Sequence, residues 1–157
     1  MPRNTIKVCV NGAGVIGKRV ADAVSAQEDM KVVGVSDVVA DWRIKLLAKK
    51  YPIYCSLPDR LKAMEEKVEV AGLLSDLLGE VDVVVDCTPA GIGAKNKPVY
   101  EEAGVKAIFE GGEKHEVAGR SIVATYNYEE SLGAQFTRVV SCNTTAMCRV
   151  VGGLHKA

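Results

Sequence analysis

A glycine-rich loop stands between a strand-like run and a helix-like run near the start of the chain. Ile6-Lys7-Val8-Cys9-Val10 leads into Asn11-Gly12-Ala13-Gly14-Val15-Ile16-Gly17, and a helical pattern then continues to residue 27. A strand, a Gly-x-Gly-x-x-Gly loop and a helix in this order are what a dinucleotide site needs. The alternative is an ordinary glycine-rich turn that binds nothing.

Each glycine of this loop has a distinct predicted role. Gly12 permits the tight turn, Gly14 lets the backbone approach a pyrophosphate, and Gly17 lets the helix sit close to the strand. The N–H groups at the helix start, those of Val15 and Ile16 among them, would then face the phosphates.

The rest of the chain alternates short runs rich in valine and isoleucine with stretches of helical period. Apolar runs of this kind suit strands covered on both faces. We predict strands at residues 5–10, 31–36, 82–87, 105–109, 121–125 and 137–141. We predict helices at residues 16–27, 42–50, 60–67, 75–78, 95–103, 129–132 and 144–155. The alternation predicts an α/β fold with a doubly wound, mostly parallel sheet, the Rossmann-type dinucleotide-binding domain.

Composition narrows the classes of partner. The 157 residues carry 20 Lys plus Arg against 20 Asp plus Glu, so the chain has no general attraction for nucleic acid or anionic membrane. Residues 1–4 lack a signal-peptide pattern, and no run approaches about 18 apolar residues. The five cysteines form no Cys-x-x-Cys pair, so we expect a reducing cytoplasm, no disulfides and no structural zinc.

An acidic residue closes the second predicted strand. Asp37 lies twenty positions after Gly17, where a carboxylate can accept both ribose hydroxyls of NAD and repel the 2′-phosphate of NADP. A solvated aspartate in a turn is the alternative. Arg43 and Lys45 follow closely and would weaken the preference, so the predicted cofactor is NAD, with NADP possible.

A cysteine stands where the last predicted strand meets the last predicted helix, in the segment VVSCNTT at residues 139–145. Asn143 or Thr144 can serve as the N-cap of that helix. The positive end of a helix dipole lowers the pKa of a cysteine placed there, and nearby N–H groups can hold a developing oxyanion. Cys142 is therefore a candidate nucleophile for an aldehyde. From the spacing alone, a buried cysteine that closes a strand is an equal alternative.

Four separated segments carry a resemblance to a known family. They are NGAGVIGKRVADAV at residues 11–24, VVDCTPAGIGAKN at 84–96, AIFEGGEK at 107–114 and RVVSCNTT at 138–145. In this order and register they resemble the archaeal-type phosphorylating glyceraldehyde-3-phosphate dehydrogenases over nearly the whole chain.

The resemblance implies roles for individual residues. Cys142 would attack glyceraldehyde 3-phosphate, hydride would pass to the nicotinamide, and phosphate would release the resulting thioester. Ser141 and Asn143 would contact the substrate. The cofactor contacts implied are Val15, Ile16, Gly112 and the segment Thr88-Pro89-Ala90-Gly91.

Two departures from the family stand out. Its members often carry a lysine where this chain has Asp37, and many accept NADP, whereas Asp37 favours NAD. The family also has a substrate domain after the cysteine, which supplies a histidine base, contacts to the substrate phosphate and a helix that returns to the nucleotide domain. We expect residues 1–141 to form the dinucleotide-binding domain and residues 142–157 to begin a truncated catalytic domain.

No histidine of this chain replaces the base. His155 lies thirteen positions from Cys142 on one predicted helix, a separation of roughly 20 Å. His115 falls in a polar loop, where we expect an exposed or structural residue. Glu110 and Glu113 are possible catalytic carboxylates, but solvated loop residues are the stronger expectation.

Two apolar features have a packing interpretation. The stripe Leu73, Leu74, Leu77 and Leu78 predicts core packing. Trp42 is the single tryptophan, and we expect it to pack against the protein, with stacking on an adenine as the alternative.

Three functions follow, in different classes. The first is a glyceraldehyde-3-phosphate dehydrogenase for which this chain supplies the cofactor site and the nucleophile. The second is a dinucleotide-binding module with no turnover of its own. The third is the nucleotide half of another aldehyde or semialdehyde dehydrogenase. The expected partners are a small-molecule substrate and either further copies of the chain or a separate catalytic domain.

Overall fold

Strands and helices alternate along the chain. The computed structural model describes residues 5–156, with side chains through His155. Residues 1–4, where no signal peptide was predicted, and residue 157, the end of the predicted 142–157 segment, lie outside this range. The strands are β1 Ile6–Asn11, β2 Met30–Asp37, β3 Ile53–Cys55, β4 Gly72–Leu73, β5 Val83–Asp86, β6 Lys106–Phe109, β7 Ser121–Ile122 and β8 Phe136–Val139.

Eight helices connect or follow the strands. They are α1 Val15–Ser25, α2 Trp42–Leu47, α3 Leu61–Glu65, α4 Leu74–Leu78, α5 Gly93–Glu102, α6 His115–Ala118, α7 Ala124–Asn127 and α8 Cys142–Lys156. Two short 3-10 helices, Pro58–Arg60 and Tyr128–Ser131, precede α3 and follow α7. None of the described helices combines the length and apolar character needed to cross a membrane.

One sheet contains all eight strands, in the order β4-β3-β2-β1-β5-β6-β8-β7. Every neighbouring pair is parallel. The strand order reverses between β1 and β5, and in open α/β sheets ligands bind at the carboxyl ends of the strands on either side of such a switch point. The predicted fold class is confirmed.

The core lies on both faces of this sheet because successive side chains of a strand point to opposite faces. Val8 and Val10 of β1 join the cluster that also contains Ala21 of α1, whereas Cys9 joins the cluster on the other face with Leu77 of α4. The predicted leucine stripe is confirmed as core at Leu74, Leu77 and Leu78, which are buried. Leu73 is half-buried.

The differences from the predicted elements are confined to short segments. Strands β3 and β4 were missed because three and two residues are too few to show a period. Helices α6 and α7 were missed for the same reason, at four residues each. In place of the predicted α-helix 129–132 the chain forms the 3-10 helix Tyr128–Ser131, and the predicted strand 121–125 ends at Ile122.

Candidate functional site

The glycine loop after β1 adopts a conformation that depends on two of its glycines. Gly12 has φ +94°, and a Cβ there would lie 2.9 Å from the backbone of Cys87 and of Thr88. A Cβ on Gly17 would lie 1.8 Å from the carbonyl oxygen of Gly12, so helix α1 begins directly against the turn. Both positions therefore exclude a side chain, because the atoms in the way are backbone.

Gly14 differs from its two neighbours because the space around it is open. It precedes α1 with φ −67°, and a Cβ there would meet no atom within 4 Å. Val15 and Ile16 open the helix with side chains that are 70% and 46% exposed. The first turn of α1 has no acidic residue to neutralise the positive end of its dipole. This open cradle at a helix N-terminus fits a pyrophosphate.

Asp37 braces the same loop. One carboxylate oxygen, Oδ2, accepts the N–H of Ala13 at 2.8 Å, and Oδ1 accepts the N–H groups of Val38 and Val39 at 2.7 and 3.3 Å. Sequence reasoning missed this contact with the glycine loop, since it assigned the carboxylate to a ribose alone. A carboxylate has about four lone-pair directions, so the predicted ribose contact stays a prediction beside the observed brace.

A buried polar network joins the carboxyl ends of β2, β1 and β5. The Nδ2 of Asn11 donates to the hydroxyl of Tyr100 at 2.8 Å, and that hydroxyl donates to Asp86 Oδ2 at 2.7 Å. Ser36 donates to Asn11 Oδ1 at 2.9 Å. Burial, together with the charge of Asp86, raises the pKa of Tyr100 and keeps its hydroxyl a donor. The network fixes the strand ends beneath the candidate site.

Thr88 and Pro89 lie in the loop at residues 87–92, which we name the β5 loop. Asp86 Oδ1 accepts the N–H of Thr88 at 3.0 Å and also the Thr88 hydroxyl. Pro89 is exposed. The next strand ends in the loop at residues 110–114, which we name the β6 loop, and Gly112 lies there with φ +86°. The structure thus brings the predicted cofactor residues of three loops together at the switch point.

The two carboxylates of the β6 loop do not behave as solvated residues, so that expectation was wrong. Glu113 is only 4% exposed, and its Oε1 accepts the N–H groups of Gly91 and Gly93 at 2.7 and 2.9 Å. Glu110 is half-buried, and burial raises the pKa of its carboxyl. The hydrogen bonds to the β5 loop could not be read from sequence, because their partners lie twenty or more positions away.

Cys142 opens helix α8 on the same edge of the sheet, three strands from β1. The hydroxyl of Ser141 accepts the N–H of Thr144 at 3.1 Å and lies 3.0 Å from the Thr144 hydroxyl. Ser141 is therefore the N-cap, and the prediction of Asn143 or Thr144 was wrong because the helix begins two residues earlier than expected. Ser141, Cys142 and Asn143 are all exposed, so Cys142 is not a cysteine buried at a strand end.

The other thiols contrast with this exposed one. Burial raises the pKa of Cys9 and of Cys87 to about 12, with the carboxylates of Glu110 and Asp86 adding to the rise at Cys87. All five cysteines are unpaired. Residues 5–156 hold no group of three His, Cys, Asp or Glu side chains placed to bind a metal ion.

His155 does not lie where a base for Cys142 is needed. His155 is on α8, and the helix is continuous between the two residues, so the separation of roughly 20 Å stands. His115 opens α6 rather than lying in a loop, and its Nδ1 is 2.8 Å from the hydroxyl of Ser121.

Trp42 is 68% exposed at the start of α2, so the expected packing was wrong and adenine stacking stays a prediction.

Comparison with known proteins gives relatives along almost the whole chain, although no family model matches it. Glyceraldehyde-3-phosphate dehydrogenase of Methanothermus fervidus is 54% identical over 150 residues, which are 94% of this chain and 44% of that protein. The enzymes of Methanothermobacter thermautotrophicus and Thermococcus kodakarensis are 55% and 53% identical over 93% and 96% of the chain. The chain is a homologue of the N-terminal portion of archaeal glyceraldehyde-3-phosphate dehydrogenases.

The sequence relatives extend well beyond the region that this chain matches, and a solved structure gives a further comparison of the fold. The chain spans 44–46% of the length of these three relatives, so their activity does not transfer to it directly. Among solved structures, a myo-inositol dehydrogenase from Corynebacterium glutamicum matches 87% of the chain and 36% of its own length, with a TM-score of 0.54 and 20% identity. That likeness supports the Rossmann-type fold.

Proposed function

We propose that this chain supplies the NAD site and the nucleophile of a phosphorylating glyceraldehyde-3-phosphate dehydrogenase. The observation that carries the proposal is the placement of the glycine loop and Cys142 at the carboxyl edge of one parallel sheet. Homology to enzymes named glyceraldehyde-3-phosphate dehydrogenase supports glyceraldehyde 3-phosphate as the substrate, rather than the substrate of a semialdehyde dehydrogenase. Residues 1–141 would form the nucleotide-binding part, and residues 142–157 would begin the catalytic part.

The proposed cofactor residues fit a dinucleotide. Gly14 leaves open space for a pyrophosphate over the start of α1, and Asp37 lies at the end of β2, where an adenosine ribose would reach it. Thr88, Pro89 and Gly112 would line the other half of the ligand. When bound, NAD would accept the hydride that leaves the aldehyde carbon.

Cys142 would perform the covalent chemistry. Its thiolate adds to the aldehyde carbon, and the hydroxyl of the resulting hemithioacetal loses its proton to a base as hydride leaves the same carbon. Phosphate then attacks the thioester carbonyl, and the carbon–sulfur bond breaks to return the thiolate and release 1,3-bisphosphoglycerate. The N–H groups at the start of α8 would hold the negative oxygen, while Ser141 and Asn143 would contact the substrate.

The second candidate function is a dinucleotide-binding module that catalyses nothing alone. It is favoured by the position of His155, since a base must lie within about 3 Å of the proton it removes. An assay with NAD, phosphate and glyceraldehyde 3-phosphate decides between the candidates, with Cys142→Ser as the control. We expect cofactor binding by calorimetry without measurable turnover. NADH production that Cys142→Ser abolishes would show the site to be complete and would reject the module.

A second folded unit is part of the proposal. Helix α8 exposes four large apolar side chains, each at least 64% exposed: Met147, Val150, Val151 and Leu154. An open groove of about 900 Å³ also runs along one sheet face, past half-buried apolar residues that include Val83, Ile108 and Ile122. Apolar surfaces of this extent are typical of interaction sites. We propose that another copy or a catalytic domain covers them, in the cytoplasm, with neither nucleic acid nor membrane as a partner.

Analytical sedimentation tests whether a second copy of the chain packs on the exposed apolar surface of α8. At micromolar concentration the chain should sediment above its monomer mass of 16.8 kDa, and Val151→Glu should shift it toward monomer because a charge cannot be buried without a partner. Exposed Glu129→Lys is the matched control and should leave the mass unchanged. A monomer at all concentrations would argue against self-association.

A further inference from the structure

Glu113 is the buried carboxylate of the β6 loop. Its Oε1 accepts two backbone N–H groups, from Gly91 at 2.7 Å and from Gly93 at 2.9 Å. Gly91 belongs to the β5 loop, and Gly93 is the first residue of α5. One oxygen atom of the β6 loop therefore holds both the end of the β5 loop and the start of the next helix.

The two loops also touch at a second point, nearer the start of each loop. A Cβ on Gly111 would lie 1.8 Å from the carbonyl oxygen of Thr88, so the backbones meet there without space for a side chain. Arg138 of β8 secures the β6 loop from outside, since its Nη1 donates to the carbonyl oxygen of Glu113 at 2.6 Å. The β5 and β6 loops are thus fixed to each other at both ends.

Position in the sheet indicates which part of a dinucleotide these loops would face. The glycine loop follows β1 and Asp37 follows β2, so the pyrophosphate and the adenosine would occupy that side of the switch point. The remaining half must extend in the opposite direction, over the ends of β5 and β6. That direction leads to the β5 and β6 loops and onward to Cys142 at the end of β8.

We propose that Glu113 is a positioning residue for the nicotinamide half of the cofactor. This inference rests on the proposed function. The carboxylate sets the separation between Thr88-Pro89 and Gly112, the two sides of the site that would receive the nicotinamide and its ribose. Without it, two N–H groups at the start of α5 lose their acceptor, and the β5 loop is free to move away from the β6 loop. The adenosine side has no contact with Glu113 and would be unaffected.

Comparing two ligands separates positioning from a general structural role. NAD reaches both sides of the switch point, whereas ADP carries only the adenosine and pyrophosphate. Glu113→Ala should weaken NAD binding about tenfold and leave ADP binding unchanged. Glu113→Gln should restore most of the NAD affinity, because an amide oxygen can accept the same two N–H groups. Glu116→Ala, an exposed change on α6, is the matched control.

The outcomes are distinguishable by calorimetric titration of both ligands, with circular dichroism as a check on folding. If wild type binds neither NAD nor ADP, the proposed function itself fails. If wild type binds both, the inference is overturned by an Ala variant that binds NAD normally, by one that loses ADP equally, or by a Gln variant as weak as Ala. Should Glu113→Ala not fold, Glu113→Asp takes its place, since its shorter side chain withdraws the carboxylate and predicts the same selective loss.

Discussion

The two chemistry-bearing regions at the carboxyl edge of the sheet are held in different ways. The glycine loop is braced by Asp37, packed against the start of α1 at Gly17, and supported by the buried network around Asn11. The segment around Cys142 is exposed, and its cap is a local hydrogen bond in which the Ser141 hydroxyl accepts the N–H of Thr144 in its own helix. The first region is preorganised by long-range contacts within this chain. We expect the geometry of the second region to depend on the partner proposed to cover α8.

The largest effect should come from Gly17→Ala, which attacks the preorganised region. A Cβ there would lie 1.8 Å from the Gly12 carbonyl oxygen, and because that atom is backbone, the turn or the helix must shift to admit it. We expect a loss of about 3 kcal/mol in the free energy of unfolding, measured by urea denaturation. Gly153→Ala, a glycine of α8 with open space around it, is the control and should not destabilise the protein. Equal stability of the Gly17 variant would contradict the close packing of helix and turn.

Gly14→Val should separate binding from stability in the same loop. A Cβ at Gly14 meets no protein atom within 4 Å, so the free energy of unfolding should fall by only about 1 kcal/mol. The branched side chain would occupy the space proposed for the pyrophosphate, and NAD affinity should fall about a hundredfold by calorimetry. An unchanged affinity in a folded variant would rule out this cradle as the phosphate site.

The rate of alkylation should distinguish the exposed Cys142 from the buried cysteines of the sheet. Limiting iodoacetamide at pH 7 should label Cys142 at least about a hundredfold faster than Cys9 or Cys87, because burial keeps those thiols protonated with pKa values near 12. Below that pKa the thiolate fraction rises with pH, so labelling of Cys87 should increase about tenfold per pH unit. Peptide mass spectrometry reads the adducts. Preferential labelling of a buried cysteine at pH 7 would argue against Cys142 as the nucleophile.

The smallest expected effect concerns cofactor choice. Asp37→Asn removes the charge that repels a 2′-phosphate; its single amide oxygen can accept the Ala13 N–H, but its amide nitrogen then faces the N–H groups of Val38 and Val39. The ratio of NADP to NAD dissociation constants should fall about tenfold, because the charge effect acts on NADP alone whereas any change in the loop acts on both cofactors. Asp59→Asn, an exposed aspartate elsewhere, should change neither constant. A wild-type chain that already prefers NADP would contradict the assignment of Asp37.

Sequence reasoning succeeded where one short segment contains the whole signal. The glycine loop, the long strands and the leucine stripe each have a local period or motif, and the structure contains them. It failed where the partner is distant in the chain, as for Glu113 with Gly91 and for Asp37 with Ala13. A polar side chain in a loop gives the same local pattern whether water or a buried N–H is its partner. Only the folded sheet separates the two cases.

The hydrogen bond between Asp37 and the glycine loop constrains how the cofactor preference of such a protein can evolve. One side chain holds the turn through the Ala13 N–H, and the same side chain would decide between the two nicotinamide cofactors. A basic residue at position 37 would attract a 2′-phosphate but would leave that N–H without its acceptor. A lineage that moves from NAD to NADP therefore needs at least a second substitution to supply a new acceptor. An intermediate that loses Asp37 before it gains the new acceptor would have a loosened loop, whereas the reverse order would keep the loop braced, so the order of the two mutations matters.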